Sequence, residues 1–221
     1  FDKKHRIFII ADGMGGHNAG EVASKMAIES FVDFLMSIDE FSAMEMLNAI
    51  SSCNNVVYEA SLNNNDYNGM GTTFTAAYID TDLVSIIHIG DTRAYKITET
   101  DIVQITEDHT LVEQLHKSGG ITKDELLNHP KNHILTKALG TKDTIVPTIY
   151  SEKFEQGDYL VMTSDGATDL INDVELKKIV DSNQQPENIV KKLIEAANYK
   201  GGKDNISIIC VKFDGERELE R

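Results

Sequence analysis

The sequence predicts an α+β chain in which antiparallel sheet forms the core and helices pack outside it. Three observations lead there. Between residues 71 and 106 the apolar segments are short, β-rich and joined by tight connections rich in Asp and Gly. Helical periodicity comes in adjacent stretches, not as one helix after each strand. The regular strand–helix alternation of a parallel fold is therefore missing.

Residues 6–11 read as a buried strand that stops at Asp12. Asn18, with Glu21 three residues on, forms a capping-box pattern for a helix. Val22, Met26, Ala27, Phe31, Phe34 and Leu35 follow at helical spacing. A second helix runs from about Ser42 to Leu62, with Met46, Leu47, Ile50, Val57 and Ala60 inward, and LNNNDYNG after it is loop. GTTFTAAYID, LVSIIHIG, RAYKIT and DIVQIT are four strands of an antiparallel meander, turning at Asp80–Asp82, Gly90–Asp91 and Glu99–Asp101. Thr110 and Glu113 offer a second capping box for a short helix. The polar stretch SGGITKDELLNHPKNH then marks residues 111–140 as a helical excursion, or flap, over the surface. Ile149–Ser151 and Tyr159–Thr163 return to strand. Pro186 suits the first turn of a helix. That helix turns Ile189, Val190, Leu193, Ile194 and Ala197 inward and ends at Gly201–Gly202, and residues 205–213 make a last strand.

The 221 residues suit a single domain, with no repeat, low-complexity segment or linker to divide them. A formal net charge of -15 argues against general nucleic-acid binding, which needs a positive field against phosphate. No apolar run approaches the roughly 20 residues of a membrane span, and FDKKHRIF does not read as a signal peptide. Cys53 and Cys210 are too far apart to form a disulfide framework, and Cys210 in ISIICVKF reads as a small core residue. These features point to a reducing, cytoplasmic setting.

Four carboxylates share one grammar. Asp12 closes IFIIA and precedes Gly13, Asp91 closes SIIHIG, Asp165 closes YLVMTS and precedes Gly166, and Asp204 opens NISIICV. Taken singly, each also reads as a turn, as do Asp66, Asp80, Asp101 and Asp158. Brought together, carboxylates repel unless protons or cations intervene. The donors are oxygen only, with no Cys and no close His pair, which suits Mg²⁺ or Mn²⁺ and not Zn²⁺. Two such ions can activate a water for in-line attack on phosphorus. On this reading the neighbouring glycines make room for metal, water and phosphate.

IFIIADGMGGHNAGEVAS, GTTFTAAYI, HIGDTRAYKI, TEDHTLVEQL, HPKNHILTKALG, DYLVMTSDGATDLI and KDNISIICVKF occur in this order. Seven motifs in register closely resemble the metal-dependent Ser/Thr protein phosphatases of the PPM (PP2C) family in their bacterial form, from Ile7 to about Phe213. The resemblance implies a four-layer α-β-β-α sandwich, two antiparallel sheets flanked by helix pairs. It implies Asp12 as the carboxylate bridging two metals, with the Gly13 carbonyl on one of them. Asp165 and Asp204 would be further ligands of the second metal, with Asn205 completing the DN pair. Asp91 would hold a weaker third ion that it shares with Asp165. It further implies direct hydrolysis of phosphoserine and phosphothreonine in proteins, targets shared with a bacterial Ser/Thr kinase, and a monomer.

Two departures qualify the match. Many relatives carry a His two residues after the bridging Asp as a general acid; here Met14 stands there and cannot donate a proton. His17 nearby and a water on the third metal are equal candidates for that role. The family also carries an earlier strand with an Arg for the substrate phosphate and an Asn-Glu-Asp stretch. The sequence begins at Phe1, after that segment, so either it is a truncation or the protein lacks it. Arg93 of GDTR reads as a loop brace through a salt bridge. His88 reads as structural, and His109, His129 and His133 as surface residues around the flap. Two other classes stay open here: a non-catalytic metal- or protein-binding module on this fold, and an aspartyl-phosphate hydrolase. The latter needs a second Asp where Met14 stands.

Overall fold

The computed structural model describes residues 6–15, 19–38, 42–127 and 129–214. In chain order its strands are β1 (Ile7–Ile10), β2 (Gly13–Met14), β3 (Gly71–Thr72), β4 (Phe74–Asp80), β5 (Leu83–Ile89), β6 (Arg93–Ile97), β7 (Ile102–Gln104), β8 (Thr148–Lys153), β9 (Tyr159–Thr163) and β10 (Ile208–Lys212). The α-helices are α1 (Ala19–Met36), α2 (Ala43–Asn63), α3 (Leu111–Lys117), α4 (Lys123–Leu127), α5 (Asp165–Thr168), α6 (Asp173–Asp181) and α7 (Pro186–Tyr199). One four-stranded sheet has the order β1-β4-β5-β8, another β10-β9-β6-β7, and β2 pairs with β3. All of these pairings are antiparallel.

Strand alternation sorts the apolar residues into three clusters. Phe74, Ala76, Ile87 and Ile89 of the first sheet pack under Ala23, Ala27 and Phe31 of α1 and Met46, Ile50 and Val57 of α2. The opposite faces of the same strands turn Ala77, Ile79, Val84 and Ile86 towards Ala94, Leu160 and Met162 of the second sheet. That sheet's other face sets Tyr95, Ile97 and Val161 against Leu176 and Val180 of α6 and Ile189, Leu193 and Ala197 of α7. The expected antiparallel sheets with helices outside them are thus present.

The four-strand meander is not. β4 and β5 form one hairpin and β6 and β7 another, but they lie in different sheets. The chain changes sheet at Gly90, whose φ is +106°, a conformation that L side chains rarely adopt. A Cβ there would also stand 2.6 Å from the Cβ of Thr73. Period-2 patterning is the same on both sides of such a switch, so the pattern alone merges the two hairpins. The last strand is shorter than expected and leaves Asp204 in the loop before it, while Asp165 opens the short helix α5.

Helix starts follow the caps. Thr110 Oγ1 accepts the Glu113 N–H at 3.3 Å, as its capping box predicts, and Pro186 sits in the first turn of α7. The Asn18 cap lies outside the described residues. Buried Asn54 on α2 latches the 138–143 loop. Its Nδ2 donates to the carbonyls of Lys142 (2.9 Å) and Asp143 (3.0 Å), and its Oδ1 accepts the Gly140 N–H at 2.9 Å.

Candidate functional site

Asp12 stands where the chain leaves β1, and three hydrogen bonds fix its backbone. Its N–H donates to Thr73 Oγ1 at 2.9 Å. Its carbonyl accepts from the Thr73 N–H at 2.8 Å and from Thr72 Oγ1 at 2.9 Å. The Thr73 hydroxyl also lies 2.6 Å from that of Thr92, beside Asp91. Buried threonines therefore tie the Asp12 turn to the Asp91 turn. Asp165 is tied to the Asp204 loop in a similar way: Ser164 Oγ donates to the Asn205 carbonyl at 3.2 Å and accepts the Ser207 N–H at 3.1 Å.

The four aspartates converge into one electrostatic cluster. Asp12 and Asp165 lie close enough to perturb each other's protonation, and Asp165 Oδ1 is buried with no partner. Burial, then the Asp165 charge, then the Asp204 charge, push the Asp12 carboxyl up to about 7. Burial, then the charges of Asp165 and Asp108, push Asp91 up to about 8. Asp165 is raised as well, by burial first and Asp204 next. Among the described residues no three His, Cys, Asp or Glu side chains close around a single point as a metal cage. What stands assembled is the Asp12–Asp165 pair, with Asp91 and exposed Asp204 within electrostatic reach. An orphaned buried carboxylate oxygen, an oxygen-only donor set and carboxyls pushed towards neutrality by burial and then by one another fit a hard divalent cation.

The glycines also serve the backbone packing around the site. A Cβ on Gly13 would stand 1.8 Å from the Gly20 carbonyl oxygen, and one on Gly166 would stand 2.3 Å from that of Asn205. Their bareness lets the backbone beside Asp12 pack on the start of α1, and the backbone beside Asp165 pack on the 204–205 loop.

Next to the carboxylates lies a cleft of about 100 Å³, lined by Asp91, Thr110, Glu113, Asp165 and Asp169 and by Leu126, Asn132 and His133 of the 111–140 segment. Arg93 also lines it and braces as expected: Nε and Nη2 donate to Asp108 at 3.0 and 2.6 Å. His88 is buried, spans Thr75 Oγ1 (2.8 Å) and the Glu107 carbonyl (3.0 Å), and is structural as expected. His109 corrects the expectation of a surface residue. It is 7% exposed, because its ring stacks on His88 and hydrogen-bonds Gly90 and Thr148. His133 is exposed at the cleft and His129 half-buried. His17 lies outside the described residues. Met14 is an exposed residue of β2 paired with Gly71. Burial pushes the thiols of Cys53 and Cys210 up to about 12, which suits packing and not reactivity. The threonines that fix the Asp12 and Asp91 turns were missed as site residues; their only signal is their place inside GTTF and GDTR.

The sequence model of the family described as protein phosphatase 2C matches residues 1–197. The serine/threonine phosphatase stp of Listeria monocytogenes is 36% identical over 214 residues, spanning 94% of this chain and 84% of that protein. The structure of the serine/threonine phosphatase Stp1 from Staphylococcus aureus superposes with a TM-score of 0.89 at 34% identity, covering 95% of this chain and 84% of that one. The catalytic domain of the serine/threonine protein phosphatase PstP, solved with two manganese ions, gives a TM-score of 0.81 at 31% identity, covering 94% and 87%. Among the described residues no helix is long and apolar enough to cross a membrane.

Proposed function

Because the chain belongs to the protein phosphatase 2C family and is a metal-dependent serine/threonine phosphatase, we propose that Asp12 and Asp165 are the carboxylates around which its reaction is built. The observation that carries this is the buried, partnerless Asp165 Oδ1 set within electrostatic reach of the buried Asp12 carboxyl. Asp12, with the Gly13 carbonyl, Asp165 and Asp204 would hold two core ions, and Asp91 with Asp165 would hold a weaker third. Mn²⁺ or Mg²⁺ fits this oxygen donor set. Bound there, such ions supply Lewis acidity, making water nucleophilic at neutral pH and neutralising charge on the phosphate.

The chain's own residues do the positioning. Thr72 and Thr73 hold the Asp12 backbone and so fix where its carboxyl stands relative to Asp165. Ser164 fixes the Asp165 and Asp204 loops relative to each other. Arg93 is engaged by Asp108 and is not the ligand of the substrate phosphate. Residues 111–140 act as a flap whose Leu126, Asn132 and His133 shape access. The substrates are phosphoserine and phosphothreonine proteins shared with a Ser/Thr kinase, and the chain works as a cytoplasmic monomer of one domain.

Asp165→Asn tests the assignment. The variant should keep its far-ultraviolet circular dichroism and lose Mn²⁺-dependent hydrolysis of p-nitrophenyl phosphate by roughly 10²-fold or more, the scale on which preorganised charge contributes. Hydrolysis close to that of the parent chain would refute it.

A further inference from the structure

A buried pair of imidazoles lies behind the Asp91 turn, and the reaction as described does not use it. His88 and His109 stack with ring centroids 4.8 Å apart and planes 29° from parallel. The Gly90 N–H donates to His109 Nδ1 at 3.1 Å. The His109 N–H donates back to the Gly90 carbonyl at 2.7 Å. Both polar groups of the residue preceding Asp91 are therefore bound by one histidine. The other ring nitrogen, Nε2, lies 2.9 Å from Thr148 Oγ1 on β8. The His109 carbonyl accepts the Thr136 N–H at 2.8 Å, where the 111–140 segment returns to the body.

Hydrogen-bond chemistry fixes the ring's state. An Nδ1 that accepts from a backbone N–H carries no proton, so the neutral ring holds its proton on Nε2 and donates it to Thr148. Burial keeps both rings neutral, pushing His88 and His109 down to about 4. Gly90 itself sits at φ +106°, a sparsely populated conformation that persists only where its surroundings hold it.

We propose that His109 is a positioning residue for Asp91: by gripping Gly90 through ring and backbone, and by being locked through Thr148, it sets the direction in which the Asp91 carboxylate faces Asp165. The residue touches neither substrate nor ion. This rests on the reading of Asp91 as a ligand of the weaker third ion. It extends that reading to the buried group that aims the ligand.

The test uses the 221-residue chain and Mn²⁺ as the probe, with isothermal titration calorimetry as the main readout. Four variants separate the contacts. His109→Asn keeps an acceptor near the Nδ1 position. His109→Gln places its amide near the Nε2 position and leaves the Gly90 N–H without a partner. Thr148→Val removes the lock without touching the 90–109 contact. Asp91→Asn is the control for the underlying reading. Asp91→Asn should lose the weakest Mn²⁺ binding step. His109→Gln should weaken that same step about tenfold or more, leave the tightest step unchanged and speed hydrogen exchange at the Gly90 amide. Thr148→Val should do the same to a smaller degree, and His109→Asn should restore the weak step most of the way. These outcomes together support the proposal.

If Asp91→Asn loses the weak step while His109→Gln and Thr148→Val keep it, the proposal is wrong and the ligand assignment stands. If Asp91→Asn itself changes no binding step, the ligand assignment is wrong and the proposal falls with it. If His109→Gln weakens every step equally, His109 acts only on stability and the proposal is overturned; Thr148→Val repeats that comparison should His109→Gln not fold.

Discussion

At the scale of single residues the site is a conflict between like charges. Asp12 and Asp91, raised to about 7 and about 8 from an ordinary 3.8, keep their protons in the folded chain at pH values where the unfolded chain has lost them. Stability from these two groups is full below about 4 and is lost as pH rises through 7 and 8. His88 and His109 act with the opposite sign. Lowered to about 4 from 6.5, they cost stability in acid and stop contributing once the unfolded imidazoles are neutral, above about 6.5. Below pH 6.5 the two pairs oppose each other; above it only the aspartates remain. The metal-free chain should therefore show a falling melting temperature from pH 6.5 to 8.5, and Mn²⁺ should flatten that fall by replacing protons as the neutralising charge. Differential scanning fluorimetry in chelator and in Mn²⁺ measures both curves, and a chelated curve with no decline would contradict the charge conflict. That the four aspartates gather was legible in the sequence, because each stands at the end of an apolar strand, Asp204 just before one and the others just after, and each belongs to a motif. That Gly13 and Gly166 are bare for backbone packing was not legible, because the partners, Gly20 and Asn205, are set by tertiary approach.

Secondary-structure elements show the same division between local and distant information. Caps and periodicity are local, so α2, α3 and α7 begin where Ser42, Thr110 and Pro186 indicate. Sheet membership is not local. The switch at Gly90 looks like any tight turn, and only the shared core of Ala94 with Ile86 and Ala77 of the other sheet places β6 opposite β5 and not beside it. The latch from α2 is equally hidden. In the sequence Asn54 is one polar residue among several on a helix, yet its amide satisfies three backbone groups of a loop more than 80 positions away. Asn54→Ala would leave Gly140 N–H and two carbonyls without that partner, and buried unsatisfied groups cost about 1–3 kcal/mol each. Water reaching the Lys142 and Asp143 carbonyls offsets part of this, since both residues are exposed. The variant should lose about 2–4 kcal/mol in urea denaturation. A loss under about 0.5 kcal/mol, the range of ordinary surface substitutions, would show that the latch is ornamental.

The whole molecule carries a net charge of -15, and its substrates carry phosphate. Ions bound among Asp12, Asp91, Asp165 and Asp204 would cancel only the charge at the centre, and Asp108 is already neutralised by Arg93. Glu113 and Asp169 still face the cleft, and the chain as a whole is acidic. The field beyond the metal site is therefore negative and should select substrates by what flanks the phosphate. Basic flanks are drawn in, and acidic flanks are repelled. Such long-range selection is strong where the screening length is about 30 Å, near 0.01 M salt, and largely gone at about 8 Å, near 0.15 M. Two phosphothreonine peptides, one flanked by Lys and Arg and one by Asp and Glu, should accordingly respond to salt in opposite directions at fixed Mn²⁺. Between those two salt concentrations kcat/KM should fall for the basic peptide and rise for the acidic one, mainly through KM, because the field acts on encounter and not on the attack at phosphorus. Parallel salt responses for the two peptides would mean that the surface charge does not reach the cleft, and that flanking preference comes from contacts with the 111–140 segment instead.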